Sequence, residues 1–439
     1  MQYKELKILI YNYFKTFWNF SLLKNIFLMH KNFRKYKNYK FINLIRFFIY
    51  LFSKIRISKH DWKIIWYSIL PSLNNNFWLK NFINTTKNIF EENLKNKDFN
   101  FIWPWYVNIS ITENCPYSCS HCSAWNRKNW KEMHLDDFKK MSYDLHKLWT
   151  WVIWLTWWEP LTHSNLNWII RTIKTNDIDV YLVTTWYWLD LQKAKSLKKD
   201  WLFWICISFD TTDAKKMWEF RWIKNAQNIS INAIKTSLKA WLYVLSTIVA
   251  TKENIWSWDL EKSIKFLKKI WIHEVQVLYL MPSWRTLQNK KVKDLLIKPK
   301  EKKYLKDLQI KANSDFNNYP KLISLSFLDS NEMFWCNAWN QHLYVETTWE
   351  LYPCDFVEIS YWNVFKDWFE KVYKNMQRFY NKQWVSCLAY CTNQKRAIEE
   401  KWKIPEVSCK TKTCYLKNKN FPEWFKKYPK PLRILLWEE

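Results

Sequence analysis

The 439-residue sequence contains no glycine at all. Ordinary usage is roughly 7%, which would be about 31 residues in a chain of this length. Tryptophan, by contrast, occurs 34 times, so its excess nearly equals the glycine deficit. Other absences narrow the class. No apolar run reaches the ~18 residues of a membrane span. The nearest, Phe41 to Phe52, is short and broken by Arg46. No secretory signal peptide is legible, so the ten Cys suggest a reducing, cytoplasmic compartment and metal ligation rather than disulfides. No repeat of fixed period and no nucleic-acid motif accompany the net charge of +29.

The positions of the tryptophans add to the compositional argument. Trp149, Trp201, Trp241 and Trp271 each follow an amphipathic run and precede an apolar strand. That is the place just past a helix end, where a left-handed backbone favours glycine and penalises any side chain. The simplest cause is a UGA codon read as glycine by the source organism and translated here as Trp. Richness in Lys, Asn, Ile, Phe and Tyr fits an AT-rich genome. The rival reading is a protein that is truly Trp-rich and glycine-free.

Three zones follow one another along the chain. Residues 1–100 are basic, aromatic and helical in pattern. The first 60 carry thirteen Lys and Arg against Glu5 alone. Such a stretch can be a solvated helical extension, can make peripheral contact with an anionic membrane, or can bind an acidic partner. Residues 101–330 alternate short apolar strands with amphipathic helices. The strands are expected at Tyr106–Thr112, Val152–Thr156, Val180–Thr184, Phe203–Phe209, Tyr243–Val249 and Val275–Leu280. This alternation argues an α/β fold with a parallel sheet and right-handed crossovers. Six units suit a partial (β/α)6 TIM-like barrel with chemistry at the strand C-terminal ends. Residues 331–439 lose regularity and hold six of the ten Cys, as a small metal-stapled domain would.

Cys115, Cys119 and Cys122 form a Cys-x3-Cys-x2-Cys loop directly after the first strand. Three thiolates on one loop can hold three irons of a four-iron cube and leave the fourth iron open. Spacing alone equally allows a zinc site with His121 as a fourth ligand. A second motif ends the second strand: Thr156-Trp157-Trp158-Glu159-Pro160-Leu161. Glycines at 157 and 158 would permit close backbone approach to a ligand.

With those glycines, the two motifs resemble the radical S-adenosylmethionine (radical SAM) superfamily. The resemblance implies a [4Fe-4S] cluster on Cys115, Cys119 and Cys122, with S-adenosyl-L-methionine contacted by Trp157, Trp158 and Glu159. It carries over to Thr184-Thr185-Trp186, where the family has Asn in place of Thr185, and to the Met281-to-Arg285 turn. Ser208 and Arg221 stand where relatives bind the cofactor's carboxylate, and Val249 stands where they line the adenine. Strand-end polarity and a surface ion pair are the plainer readings of Ser208 and Arg221. The implied reaction is reductive cleavage of the cofactor to a 5′-deoxyadenosyl radical, which abstracts hydrogen from a substrate. An electron donor such as flavodoxin or ferredoxin is implied as a partner.

Cys336, Trp349 and Cys354, with a hairpin about Thr348-Trp349, resemble the opening of a SPASM or twitch domain. That implies an auxiliary [4Fe-4S] cluster, with Cys387, Cys391, Cys409 and Cys414 as further ligands. The x3, x17 and x4 spacing of these four departs from the usual SPASM run, and a structural zinc site is their plainer reading. Cys206, inside an apolar strand, reads as a buried core thiol. SPASM-type relatives often modify peptides or proteins, which favours such a substrate. A small-molecule substrate and a non-catalytic iron–sulfur or zinc scaffold are the alternatives. Nothing resembles a dedicated leader-peptide-binding domain.

Overall fold

The computed structural model describes residues 3–16, 20–35, 40–61, 63–65, 83, 104–122, 131–185, 188–281, 283, 286, 296–330, 332–333, 336–339, 341–357 and 360–379. Three helices open the chain: α1 (Tyr3–Thr16), α2 (Phe20–Phe33) and α3 (Phe41–Lys54). Residues 58–65 then make a hairpin that helical periodicity did not foretell, β1 (Ser58–His60) against β2 (Lys63–Ile65). None of the described helices is long and apolar enough to cross a membrane.

All six expected strands form, as β3 (Tyr106–Ile109), β4 (Val152–Leu155), β5 (Asp179–Thr184), β6 (Trp204–Ser208), β7 (Tyr243–Ala250) and β8 (Glu274–Tyr279). Each pairs in parallel with the next. Their faces are almost wholly buried, as a sheet covered by helices requires. Between them run α4 (Leu135–Lys147), α5 (Leu166–Thr175), α6 (Leu191–Lys199), α7 (Ala214–Arg221), α8 (Ala226–Lys239), α9 (Lys252–Trp256) and α10 (Asp259–Lys269). Side-chain caps start several of them. Asp190 accepts from the Lys193 amide, Asp213 from the Lys215 and Lys216 amides, and Thr251 forms a capping box with Asn254.

The sheet is larger than six strands. After α11 (Pro299–Ser314) comes β9 (Lys321–Ser324), parallel to β8, then the short α12 (Leu325–Leu328). β10 (His342–Val345) returns to pair in parallel with β3. It continues as an antiparallel hairpin into β11 (Glu350–Tyr352) and then β12 (Trp362–Asn363), before α13 (Phe369–Phe379). The strand order is β12-β11-β10-β3-β4-β5-β6-β7-β8-β9, so one sheet runs across the boundary expected at residue 330. The hairpin about Thr348-Trp349 forms where the sequence placed it, with Tyr344 opposite Tyr352. Cys387, Cys391, Cys409 and Cys414 lie outside the described residues.

Among the described residues, two large cores and one small cluster are found. The larger fills the space between sheet and helices with residues such as Leu155, Ile169, Leu182, Ile207 and Ile264. The second joins Phe33, Leu44, Phe47 and Phe48 of the first helices to Trp105, Trp151, Phe203 and Tyr243, which sit where strands begin. The N-terminal helices therefore cover the start of the strands, opposite the end where loops leave.

Fourteen described residues have positive φ; three are Asp or Asn, which tolerate that region, and the other eleven are Trp. Four of them end helices in the same way. The amides of Trp149, Trp201, Trp241 and Trp271 bond to His146, Lys198, Leu238 and Lys268, and the next residue's amide reaches one residue further back, to Leu145, Leu197, Ser237 and Leu267. This is the paired bonding of a Schellman motif, with Trp at its left-handed position. A side chain there costs about 1–2 kcal/mol. Eleven such positions cost on the order of 10 kcal/mol, comparable with the whole stability of a domain, about 5–15 kcal/mol.

Candidate active site

The loop after β3 carries Cys115, Cys119 and Cys122, and the turn after β4 carries Trp157, Trp158 and Glu159. A backbone bond from the Glu159 amide to the Asn114 carbonyl, 3.2 Å, brings the two motifs together. The Thr162 hydroxyl adds a second bond to the same carbonyl at 3.3 Å. Within the loop the Cys122 amide donates to the Cys119 carbonyl.

Glu159 is fully buried. Its carboxylate accepts from the Leu161 amide at 3.1 Å, the Thr184 hydroxyl at 2.7 Å, and both the amide and hydroxyl of Thr185. Burial pushes its pKa up and the Thr185, Thr184 and Leu161 bonds oppose this, so that burial wins. Glu159 thus acts as a bracket, tying the β4 turn to the end of β5. Thr185, where the family has Asn, supplies two of these bonds.

The end of α7 clamps the cysteine loop. Both the amide and the hydroxyl of Ser120 donate to the Phe220 carbonyl at 3.1 Å. The Phe220 ring stacks on His121, with centroids 4.0 Å apart. Arg221 is buried; its Nε donates to Asp210 Oδ2 at 2.6 Å, and its Nη1 lies 4.0 Å from Cys119 Sγ. Burial lowers the guanidinium pKa, but Asp210 and Cys119 outweigh it and hold the group charged. Burial raises the Cys119 thiol while Arg221 pulls it back down. The Cys115 thiol is raised by burial, against a bond from the Tyr117 amide. A charge-assisted N–H facing sulfur favours the thiolate that an iron needs.

Ser208 is buried at the end of β6, its carbonyl accepting from Ser230. Val249, at the end of β7, donates its amide to Asp210 at 3.4 Å and packs with Leu280, Leu296 and Phe220. Cys206 is a core thiol, as expected, with burial pushing its pKa up to about 12. Trp186 and Arg285 lie outside the described residues.

The C-terminal hairpin closes on the same region. Thr347 donates to the buried Glu113 carboxylate, next to the cysteine loop. Asp355 accepts from Asn108 of β3 at 2.7 Å and pairs with His342. Cys354 is buried, its sulfur accepting from the Phe356 amide, and Cys336 is half-buried.

Thr184 was named with the strand-end motif, but Asp210, Phe220, Glu113 and Thr347 were missed as working parts. Asp210 was visible as a strand-end acid; the rest carry no local signal.

Among the described residues, no three His, Cys, Asp or Glu side chains converge tightly enough for a single metal ion. This bears on the zinc alternative at Cys115, Cys119, Cys122 and His121. A four-iron cube takes one thiolate per iron, which spaces its ligands more widely. The chemistry of three thiols on one loop, with the Arg221 guanidinium beside Cys119, is that of such a cube's ligand set. The turn fits its cofactor less well. Trp157 and Trp158 have φ of 62° and 46°, and their indole Nε1 atoms are buried without a hydrogen-bond partner. The Trp157 ring lies 5.8 Å from Tyr344 and 5.9 Å from Phe356. Two indoles stand where a ligand would have to approach the backbone.

A parallel α/β sheet with a three-cysteine loop after its first strand and an acid-bracketed turn after its second is the arrangement that the radical SAM resemblance leads one to expect. Residues 109–267 match the family described as the Radical SAM superfamily, and the chain carries a radical SAM domain. It is 29% identical over 128 residues to GTP 3′,8-cyclase of Marinobacter nauticus, a match covering 28% of this chain and 38% of that protein. Among solved structures, SuiB of Streptococcus suis bound to precursor peptide SuiA aligns with a TM-score of 0.54 and 14% identity, over 67% of this chain and 70% of that one. Native anSMEcpe with bound AdoMet aligns at 0.51 and 18% identity, over 63% and 82%. At these identities the solved structures bear on the fold alone.

Proposed function

We propose that the chain reductively cleaves S-adenosyl-L-methionine and uses the product to abstract hydrogen from a peptide or protein. The observation that carries this is the Glu159-to-Asn114 backbone bond, which sets the cysteine loop beside the cofactor turn. Cys115, Cys119 and Cys122 would hold the cluster. Arg221, held charged beside Asp210, would favour the Cys119 thiolate. Glu159 would hold the turn in register with β5, and Val249 with Phe220 would present an apolar wall. When bound, the cluster supplies the single electron that breaks the cofactor's carbon–sulfur bond, and a flavodoxin- or ferredoxin-type reductant would reload it.

Cys336 and Cys354, on a hairpin joined to β3, would ligate an auxiliary cluster. Ser208 and Arg221 would take the cofactor's carboxylate. The peptide reading draws on SuiB, solved with precursor peptide SuiA, and on anSMEcpe, solved also with the Cp18Cys peptide; the cyclase relative supports a small-molecule substrate instead. Protein carrying glycine at 157 and 158, reconstituted and reduced, should release 5′-deoxyadenosine. No release from protein that has incorporated its iron would favour the scaffold reading.

A contact with anionic membrane surfaces belongs to the same proposal. In α1, Tyr3, Leu6, Ile10 and Tyr13 are exposed at helical spacing beside Lys4 and Lys7. In α3, Phe41, Ile42, Ile45 and Ile49 are exposed beside Arg46. Apolar stripes edged with positive charge suit anionic headgroups. The protein should sediment with vesicles containing anionic lipid and not with neutral ones; equal behaviour with both would remove this contact.

A further inference from the structure

We infer that the protein as its organism makes it carries glycine at the eleven left-handed Trp positions: 149, 157, 158, 188, 201, 222, 241, 258, 271, 339 and 349. Composition raises the idea, but it cannot say which of the 34 Trp are concerned. Backbone conformation can. Of the described residues with positive φ, all but Asp61, Asp177 and Asn225, whose side chains tolerate that region, are Trp, and no other large residue shares it.

Side-chain environment points the same way. Trp188, Trp201, Trp222, Trp241, Trp258 and Trp271 are between 59% and 81% exposed. Their indoles lie mostly in solvent, so no core packing calls for a large aromatic at these positions. Trp157 and Trp158 are the opposite case, with indole N–H groups buried and without a partner. Burial without a hydrogen bond is unfavourable in its own right. Trp349 holds the left-handed place in the β10–β11 turn, and its amide donates to the Glu346 carbonyl. One substitution, indolylmethyl to hydrogen, removes all of these conflicts at once.

The consequence for the site rests on the proposed function. With hydrogen at 157 and 158, the turn after β4 presents bare backbone beside the cysteine loop. The Tyr344 and Phe356 rings, which now face the Trp157 indole, would then border the open space.

The gene and the native protein decide the matter without reference to activity. All eleven codons should be UGA, and peptide mapping of protein purified from its own organism should show glycine at each. UGG codons, or Trp in those native peptides, would overturn the inference. A recombinant chain with all eleven Trp→Gly changes should bind S-adenosyl-L-methionine, read by equilibrium dialysis, at least tenfold more tightly than the chain as translated. A gain from the nine changes outside the turn that equals the full gain would overturn the role given to 157 and 158. Glycine in the native peptides with no cofactor bound by either chain would sink the functional reading and leave the glycine assignment standing.

Discussion

The two ends of the barrel are both buried and both charged, yet they are built on different plans. Where the strands begin, aromatic rings stack in a ladder: Trp154 on Tyr181 at 5.0 Å, and Tyr181 on Trp204 at 4.6 Å. Charge there is closed in pairs. Lys321 meets Glu274 at 3.0 Å, and Lys63 meets Asp179 at 3.0 Å, with all four side chains buried. The first helices and the β1–β2 hairpin cover this end. Where the strands finish, the polar groups converge on a cysteine loop. Arg221 is shared between Asp210 and a sulfur, and Glu159 spends its hydrogen bonds positioning a turn. One end uses charge to close the fold, and the other uses it to prepare a site.

The sharpest break of this comparison is Cys119→Ala. It should abolish iron uptake at the radical SAM loop and all release of 5′-deoxyadenosine, while the urea midpoint of the apo protein barely moves. A retained release would remove the loop from the chemistry. At the other end, Lys321→Met leaves Glu274 buried and unpaired, which should cost about 3–5 kcal/mol in urea unfolding. Iron uptake of the folded fraction should be unchanged.

Arg221→Gln makes the matching change at the site end. It should also destabilise, and in addition alter the electron paramagnetic resonance spectrum of the reduced cluster, which Lys321→Met should leave alone. Identical spectra in both variants would contradict the contact with Cys119.

A smaller effect concerns His273, at the strand-start end. Burial and the neighbouring His60 lower its pKa to about 4, while its ring nitrogen accepts from the Val244 amide. Unfolded, the imidazole titrates near 6.5. Between those values the unfolded chain binds the extra proton, so stability should fall as pH drops from about 6.5 to about 4. His273→Asn, which can still accept the Val244 bond, should flatten that part of a urea-midpoint profile. The slope due to Asp179, whose pKa is lowered to about 2, should remain below the ordinary carboxylate range. Smallest of all, Thr251→Ala should remove one capping bond from α9 and cost about 1 kcal/mol.

Much of the barrel was legible because its strands are continuous apolar runs and its helices keep one buried face. β9 was not, since Lys321–Ser324 has little pattern of its own, whereas β10 was legible as one arm of the hairpin about Thr348-Trp349 and only its parallel partner was hidden. That partner, β3, lies more than two hundred residues earlier. The β1–β2 hairpin was hidden for the same reason; its Lys63 is held by Asp179 and by the rings of Phe203 and Trp204.

By itself the sequence determined the strand–helix alternation, the cysteine loop, the turn motif and the glycine deficit. All of these are local, written in spacing, periodicity and composition. Only the tertiary structure decided that Arg221 and Asp210 stand behind Cys119, that Phe220 holds His121, that Thr347 reaches Glu113, and that Trp188, Trp222, Trp258 and Trp339 join the left-handed positions. Those facts join residues brought together by crossovers and register, or belong to φ angles, and neither is recorded in the order of side chains.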